Sequence, residues 1–207
     1  MQRSIYARRG LALALLLAVT AAASHQPPQR SAAQLMDVLM WNREPIGGPF
    51  ALTDHLGKRR TDADFRGKMM LVYFGYTSCV DVCPTDLQNI GLALKKLGDA
   101  ASVIQPIFIT VDPDRDTPKR LAAYVQSFHP TLVGLSGSTA DIRKAADAYR
   151  VYYKKVRRPK DSDARYDVDH SAFIYLMDRK GKYIDFFPPG TPADRMTEIL
   201  RRVIAAE

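Results

Sequence analysis

Met69-Met70-Leu71-Val72-Tyr73-Phe74-Gly75-Tyr76-Thr77-Ser78-Cys79-Val80-Asp81-Val82-Cys83-Pro84 is the stretch on which the fold turns. Residues 69–76 form an apolar run of strand length, with the near-continuous hydrophobicity of a strand buried on both faces. Cys79 and Cys83 follow; the chain has no other cysteine. Pro84 suits the first turn of a helix, and the pattern from 84 to 96 is helical, stopped near Gly98. A strand thus hands two thiols to a helix N-terminus. The positive end of the helix macrodipole favours thiolate over thiol there, as does any nearby cation.

The spacing is C-x-x-x-C, one residue longer than a C-x-x-C pair. Such a loop can bring both sulfurs to one spot, and two outcomes follow. Sulfurs approaching to roughly 2.05 Å form a disulfide. Sulfurs held apart form a bidentate soft-ligand pair for Cu(I), zinc or an iron–sulfur cluster. Two cysteines cannot supply the four thiolates of an ordinary cluster, and zinc wants four ligands. Cu(I) is content with two or three.

A third ligand must come from elsewhere. His25 lies in a polar N-terminal stretch, and His55 in a turn. His129 precedes Pro130 at a helix end, where a cation would offset the C-terminal dipole. His170 sits in Tyr166-Asp167-Val168-Asp169-His170-Ser171, where a charged loop over 154–167 runs into the apolar strand 172–177. In a sheet that places this strand near the central one, His170 can face the thiol loop.

The remaining elements fix the fold class. Residues 50–54 and 58–61 flank a turn at His55-Leu56-Gly57, a hairpin that precedes the central strand. Residues 103–111 read as a second buried strand. The turn Asp112-Pro113-Asp114-Arg115-Asp116-Thr117-Pro118 leads into a helix to about residue 128, with Asp116 or Thr117 available as its cap. A short strand at 131–135, a helix at 139–149, a short strand at 152–156, a hairpin of 172–177 with 183–187 and a last helix to 205 complete the order. The helix at 139–149 places Ile142, Ala145, Ala146 and Tyr149 on one face. Strands alternating with helices indicate an α/β fold with a central mixed sheet flanked by helices. The order is thioredoxin-like, with an N-terminal hairpin extension.

The N-terminus has the form of a targeting segment. Arg3, Arg8 and Arg9 precede the apolar residues 11–19, and Thr20-Ala21-Ala22-Ala23-Ser24 offers small residues for cleavage. Residues 1–23 are read as a secretory signal peptide or an N-terminal membrane anchor. The apolar part is shorter than the ~20 residues of a comfortable span. Arg8-Arg9 only faintly suggests a twin-arginine signal. Residues 24–45 are a polar, Pro-rich tether with a short amphipathic helix at 34–41, and residues 46–207 are the folded domain. Either form of the N-terminus puts the domain in the periplasm or another extracytoplasmic space, where disulfides persist.

The chain has 207 residues, 46% hydrophobic and 25% charged, with a formal net charge of +8. Three of its 30 basic residues belong to the targeting segment, so the domain is only mildly basic. No zinc-finger, basic-zipper or other nucleic-acid pattern accompanies the charge. Lys154, Lys155, Arg157, Arg158 and Lys160 form a basic run that is either a solvated loop or a steering patch for an acidic partner.

Together these motifs resemble the Sco/SenC family of thioredoxin-fold copper proteins associated with cytochrome c oxidase assembly. The resemblance runs from Ile46-Gly47-Gly48-Pro49-Phe50 through Phe65-Arg66-Gly67-Lys68, Tyr73-Phe74-Gly75-Tyr76-Thr77, the C-x-x-x-C-P loop and Thr110-Val111-Asp112-Pro113-Asp114-Arg115-Asp116-Thr117-Pro118. It continues in Val133-Gly134-Leu135-Ser136-Gly137-Ser138, Tyr149-Arg150-Val151-Tyr152-Tyr153 and Val168-Asp169-His170-Ser171. It implies that Cys79, Cys83 and His170 bind one copper ion per chain. It also implies delivery to the copper-containing subunit of cytochrome c oxidase or another acceptor, with a thiol reductant keeping the cysteines reduced. A monomer that is a metallochaperone rather than an enzyme is expected. Many members have Pro after the first cysteine; Val80 stands there, which leaves the loop less stiff. Asp81 and Asp169 are candidates for orienting the site by hydrogen bonds, or are solvated loop residues.

Three other readings remain open at this level. The pair would serve a thiol–disulfide oxidoreductase acting on partner cysteines, although no C-x-x-C is present. Thr77-Ser78-Cys79 resembles a peroxidatic T-x-C, which would make a thiol peroxidase with Cys83 resolving. A copper-dependent sensor would use the same ligands.

Overall fold

The computed structural model describes residues 45–157 and 166–206. The signal or anchor segment, nearly all of the tether with its helix at 34–41, His25, Arg158 and Lys160 lie outside the described residues. Among the described residues, no helix is long and apolar enough to cross a membrane.

The central strand β3 (Met69–Gly75) is buried at all seven positions. Its neighbours explain why. It pairs in parallel with β4 (Ile104–Thr110) on one side and antiparallel with β8 (Ile174–Met177) on the other. Next to β4 lies β5 (Val133–Ser136), parallel, and next to β8 lies β9 (Tyr183–Phe187), antiparallel. The N-terminal hairpin of β1 (Ala51–Asp54) and β2 (Arg59–Thr61) adds to β5 at the far edge. The sheet order is β2-β1-β5-β4-β3-β8-β9. This is the thioredoxin-like fold with a hairpin extension, a central mixed sheet flanked by helices.

Helix α1 (Val82–Leu97) follows β3 and ends at Gly98, whose φ of 61° suits a residue without a Cβ. Helix α2 (Pro118–Gln126) starts at Thr117, whose hydroxyl accepts from the Arg120 amide at 3.3 Å. Helix α3 (Thr139–Ala148) buries Ile142, Ala145 and Ala146, the face read from the sequence. Helix α4 (Ala193–Ala206) packs Met196 and Leu200 inward beside α1.

One difference from the sequence reading matters. The short strand expected at 152–156 is present as β6 (Tyr153–Val156), but the segment after the charged loop, not read as a strand, is its partner β7 (Asp167–His170). The two pair antiparallel, with Tyr153 opposite His170. This two-stranded ribbon is separate from the main sheet. Alternating exposure and high polarity hid β7 from a periodicity search: Asp167-Val168-Asp169-His170 offers a single buried apolar residue, Val168.

Candidate metal centre

The Cys79–Cys83 loop is shaped from three directions. From below, Gly75 gives the second sulfur room. A Cβ there would lie 2.9 Å from Cys83 Sγ, 3.0 Å from Phe108 Cε2 and 3.1 Å from Tyr73 Cε1. Cys83 is thereby fully buried in the first turn of α1. Cys79 lies before the helix and is partly exposed, and both are free thiols. Val80 at the loop tip is 94% exposed and touches no packed surface that would restrain it.

From the side, the turn after β4 holds the start of the loop. Asp116, fully buried, accepts from the Thr77 amide at 2.9 Å, the Thr77 hydroxyl at 2.6 Å and the Thr110 hydroxyl at 2.6 Å. Arg120 donates to Thr77 Oγ1 at 2.6 Å and to Ser78 Oγ at 2.8 Å. Asp116 was a helix-cap candidate from sequence; Thr117 takes that role, which leaves Asp116 free to fix the thiol loop.

From above, the same turn pins the ribbon that carries His170. Asp112, buried, accepts from the Tyr166 hydroxyl at 2.7 Å and is paired with Arg115. Arg115 donates to the Tyr166 carbonyl at 2.9 Å, and its guanidinium lies 3.8 Å from the Tyr166 ring centroid, a cation–π contact. The Ser171 amide donates to the Tyr152 carbonyl at 2.9 Å, closing the ribbon next to His170.

The result is convergence of two distant parts of the chain. The ligand atoms of Cys79, Cys83 and His170 all lie within 4.8 Å of one another. Cys83 Sγ is 3.2 Å from His170 Nε2. His170 Nδ1 lies 3.0 Å from the Ser171 carbonyl, which can only accept, so Nδ1 carries a proton and the ring presents Nε2 to the sulfurs. Tyr73 and Tyr76 wall the imidazole edge-on, with centroids 6.4 Å and 5.8 Å away.

The two sulfurs are not equivalent. The hydrogen bond from Cys83 holds the Cys79 thiol far below its usual range, with His170 and the Asp81 and Cys83 amides adding to the effect. The same hydrogen bond, with burial, pushes Cys83 up. One partly exposed thiolate therefore sits over one buried thiol. Removing the Cys83 proton completes a set of two soft sulfurs and one imidazole, which suits a soft ion of low coordination number.

The other sequence candidates fall elsewhere. Asp81 and Asp169 are exposed, and Asp81 contributes its backbone, the amide to Cys79 and the carbonyl to the Thr85 hydroxyl. His55 accepts from the Gly134 amide in its turn. His129 Nδ1 accepts from the Thr131 amide at 3.3 Å, and burial lowers its pKa, so it is a hydrogen-bonded neutral ring rather than a capping cation. Lys155 is paired with Asp114 and packs on Tyr166, a ribbon contact rather than a free charge. Sequence reasoning missed Asp112, Arg115 and Tyr166 as the clasp on the ribbon. The one available signal was Asp112-Pro113-Asp114-Arg115-Asp116, more acidic than a helix cap needs.

A model of the SCO1/SenC family matches residues 40–205. The chain belongs to the SCO1/SenC family. Protein SCO2 homolog, mitochondrial, of Mus musculus is 46% identical over 161 residues, covering 77% of this chain and 62% of that protein. The SCO2-like protein RP587 of Rickettsia prowazekii is 40% identical over 156 residues, covering 75% of this chain and 76% of that protein. This SCO1/SenC chain spans less than two thirds of the mouse relative's length. Among solved structures, Bradyrhizobium japonicum ScoI with copper bound is 48% identical with a TM-score of 0.69, covering 76% of this chain and 98% of that one. Yeast Sco1 with copper bound is 35% identical with a TM-score of 0.72, covering 79% of this chain and 91% of that one.

Proposed function

We propose that this protein is an extracytoplasmic copper carrier that holds one copper ion through Cys79, Cys83 and His170. In this reading it delivers the ion to the copper-containing subunit of cytochrome c oxidase or to another copper acceptor. The observation that carries the reading is the meeting of three soft donor atoms within 4.8 Å, contributed by residues far apart in the chain. Two solved relatives hold copper, and their identity to this chain is well above the level at which only the fold is informative.

The residues divide the work. Cys79 is ready as a thiolate at neutral pH and is partly exposed, so it is the first donor an incoming ion meets and the last to let go. Cys83 gives up its proton on binding. His170 presents Nε2, with its ring fixed by the Ser171 carbonyl. Donation then proceeds by ligand exchange at the exposed Cys79 edge. Both thiols must be reduced first, because a disulfide offers no thiolate, so a thiol reductant is a required partner.

One observation favours a second activity on the same residues. A partly exposed thiolate over a buried thiol is the arrangement of an attacking and a resolving cysteine in thiol–disulfide exchange. Reduction of a disulfide in a copper acceptor to its dithiol, with Cys79 and Cys83 oxidised to a disulfide in exchange, would use it without altering the fold.

The test is anaerobic Cu(I) titration of the reduced protein, with X-ray absorption at the copper edge. One ion per chain with two sulfurs and one nitrogen is expected. His170→Ala should weaken binding while leaving disulfide formation between Cys79 and Cys83 intact. Equal copper affinity in His170→Ala and the unaltered protein would refute the three-ligand reading.

A further inference from the structure

Behind Cys83 lies a polar pair that the three ligands do not account for. Tyr73 on β3 and Asp86 on α1, one helical turn past Cys83, are both fully buried. The Tyr73 hydroxyl and Asp86 Oδ2 are each without a hydrogen bond of standard geometry. The hydroxyl lies within polar reach of both the Cys83 sulfur and the Asp86 carboxylate. The other carboxylate oxygen, Oδ1, accepts from the Gly190 amide at 2.7 Å. Buried polar atoms left without a partner are costly and rare, so this arrangement calls for an explanation.

A phenol has one proton to donate. Here two acceptors flank it, a carboxylate and a sulfur that must become a thiolate to bind a soft ion. The carboxylate is the stronger acceptor. A sulfur whose charge is shared with a metal competes poorly for the same proton.

Resting on the copper reading above, we propose that Asp86 is a positioning residue that holds the Tyr73 proton away from the Cys83 thiolate and so weakens copper retention. The carrier is thereby kept able to release its cargo. The groups facing Asp86 are Tyr73 from β3, Cys79 from the thiol loop, His170 from β7 and the Gly190 amide before α4. Of these, the Gly190 amide makes the hydrogen bond of standard geometry and the Tyr73 hydroxyl lies within polar reach. Burial raises the Asp86 pKa to about 6, so the carboxylate is charged and competing at neutral pH and above.

Asp86→Asn reverses the direction of the chain of donors without changing its shape. The Gly190 amide requires an oxygen at the Oδ1 position, so the new amide nitrogen must face Tyr73. It then donates to the phenol oxygen, and the phenol proton turns to Cys83. A hydrogen bond to a charged sulfur gained in this way corresponds to roughly tenfold tighter Cu(I) binding or more.

The experiment is competitive Cu(I) titration against a chromophoric chelator at about pH 8, well above the unperturbed carboxylate range. It uses the unaltered protein, Asp86→Asn, Tyr73→Phe and the double variant. Asp86→Asn should bind at least tenfold tighter, Tyr73→Phe should stay within about threefold of the unaltered protein, and the double variant should lose the gain. With Cu(II), the thiolate-to-copper charge-transfer band should move to higher energy in Asp86→Asn and return in the double variant. A gain that survives without Tyr73 would show a plain charge effect and overturn the proposal, as would unchanged or weaker binding by Asp86→Asn. If circular dichroism shows Asp86→Asn unfolded, Tyr73→Phe decides alone: weakening beyond tenfold would mean that Tyr73 already serves the sulfur. Failure of the unaltered protein to bind copper would overturn the copper reading and this proposal with it. Binding without the Asp86 effect would overturn the proposal alone.

Discussion

Asp116→Ala should damage the metal centre from a distance. Asp116 touches no ligand. It accepts three hydrogen bonds, two from Thr77 and one from Thr110, in a place closed to water. Alanine would strand the Thr77 amide and two hydroxyls. Hydrogen bonds to a charged group contribute ~1.5–3 kcal/mol each and are not additive within one network, so a loss of about 3–5 kcal/mol is expected. With a urea slope of roughly 2 kcal/mol per M, the unfolding midpoint of the reduced, copper-free protein should fall by about 2 M. The thiol loop should also loosen. Re-ordering two residues on binding costs about 1–2 kcal/mol each, so copper affinity should drop by roughly thirtyfold to nearly a thousandfold. Asp116→Asn should be far milder. Its oxygen can keep the Thr77 amide at the Oδ2 position, and its nitrogen then meets the Thr77 hydroxyl, which can rotate to accept. Urea unfolding followed by circular dichroism, and chelator competition for Cu(I), measure the two effects. A midpoint within about 0.5 M of the unaltered protein for Asp116→Ala would refute the network argument. Alanine and asparagine variants that behave alike would refute the hydroxyl argument.

Two further outcomes follow from the site, beside the His170→Ala and Asp86→Asn tests above. Gly75→Ala places a methyl 2.9 Å from Cys83 Sγ in the middle of the sheet, so a stability loss of ~1–3 kcal/mol from overpacking is expected together with weaker copper binding; thermal unfolding and copper titration of one sample report both. Cys79, with its pKa lowered by Cys83, loses its charge only as pH falls through that depressed value. Its alkylation by iodoacetamide in the reduced, copper-free protein should therefore be near its plateau at about pH 6, where an ordinary thiol is protonated. Peptide mass spectrometry should find Cys83 labelled far more slowly, and Cys83→Ala should remove the plateau at that pH by raising the Cys79 pKa. Equal labelling of the two cysteines at pH 6 would contradict the asymmetry.

Much of this was readable along the chain because it depends on near neighbours. The apolar run 69–76 reads as a strand buried on both faces, and β3 covers 69–75 of it. Pro84, Gly98 and Thr117-Pro118 punctuate helices through local backbone geometry, and α1 and α2 begin and end beside them. The ribbon was less legible. β7 is stabilised by pairing with β6 and by the Asp112–Arg115–Tyr166 clasp, contacts that leave no periodic trace in Asp167-Val168-Asp169-His170. Asp116 and Thr117 are adjacent and equally good caps by residue type. Only the position of Thr77 across the sheet assigns one to the helix and the other to the thiol loop.

Composition and spacing by themselves determined that two sulfurs follow a buried strand into a helix, and that His170 stands where a soft ligand set could be completed. Which sulfur is the thiolate was decided by the tertiary structure, because a hydrogen bond and the depth of burial are properties of neighbours 87 positions apart as well as four. The same holds for the buried carboxylates. Asp81 and Asp169 flank the ligands in sequence and are solvated, whereas Asp86, Asp112 and Asp116 act on the site because folding removes water from them and leaves each a small, fixed set of donors.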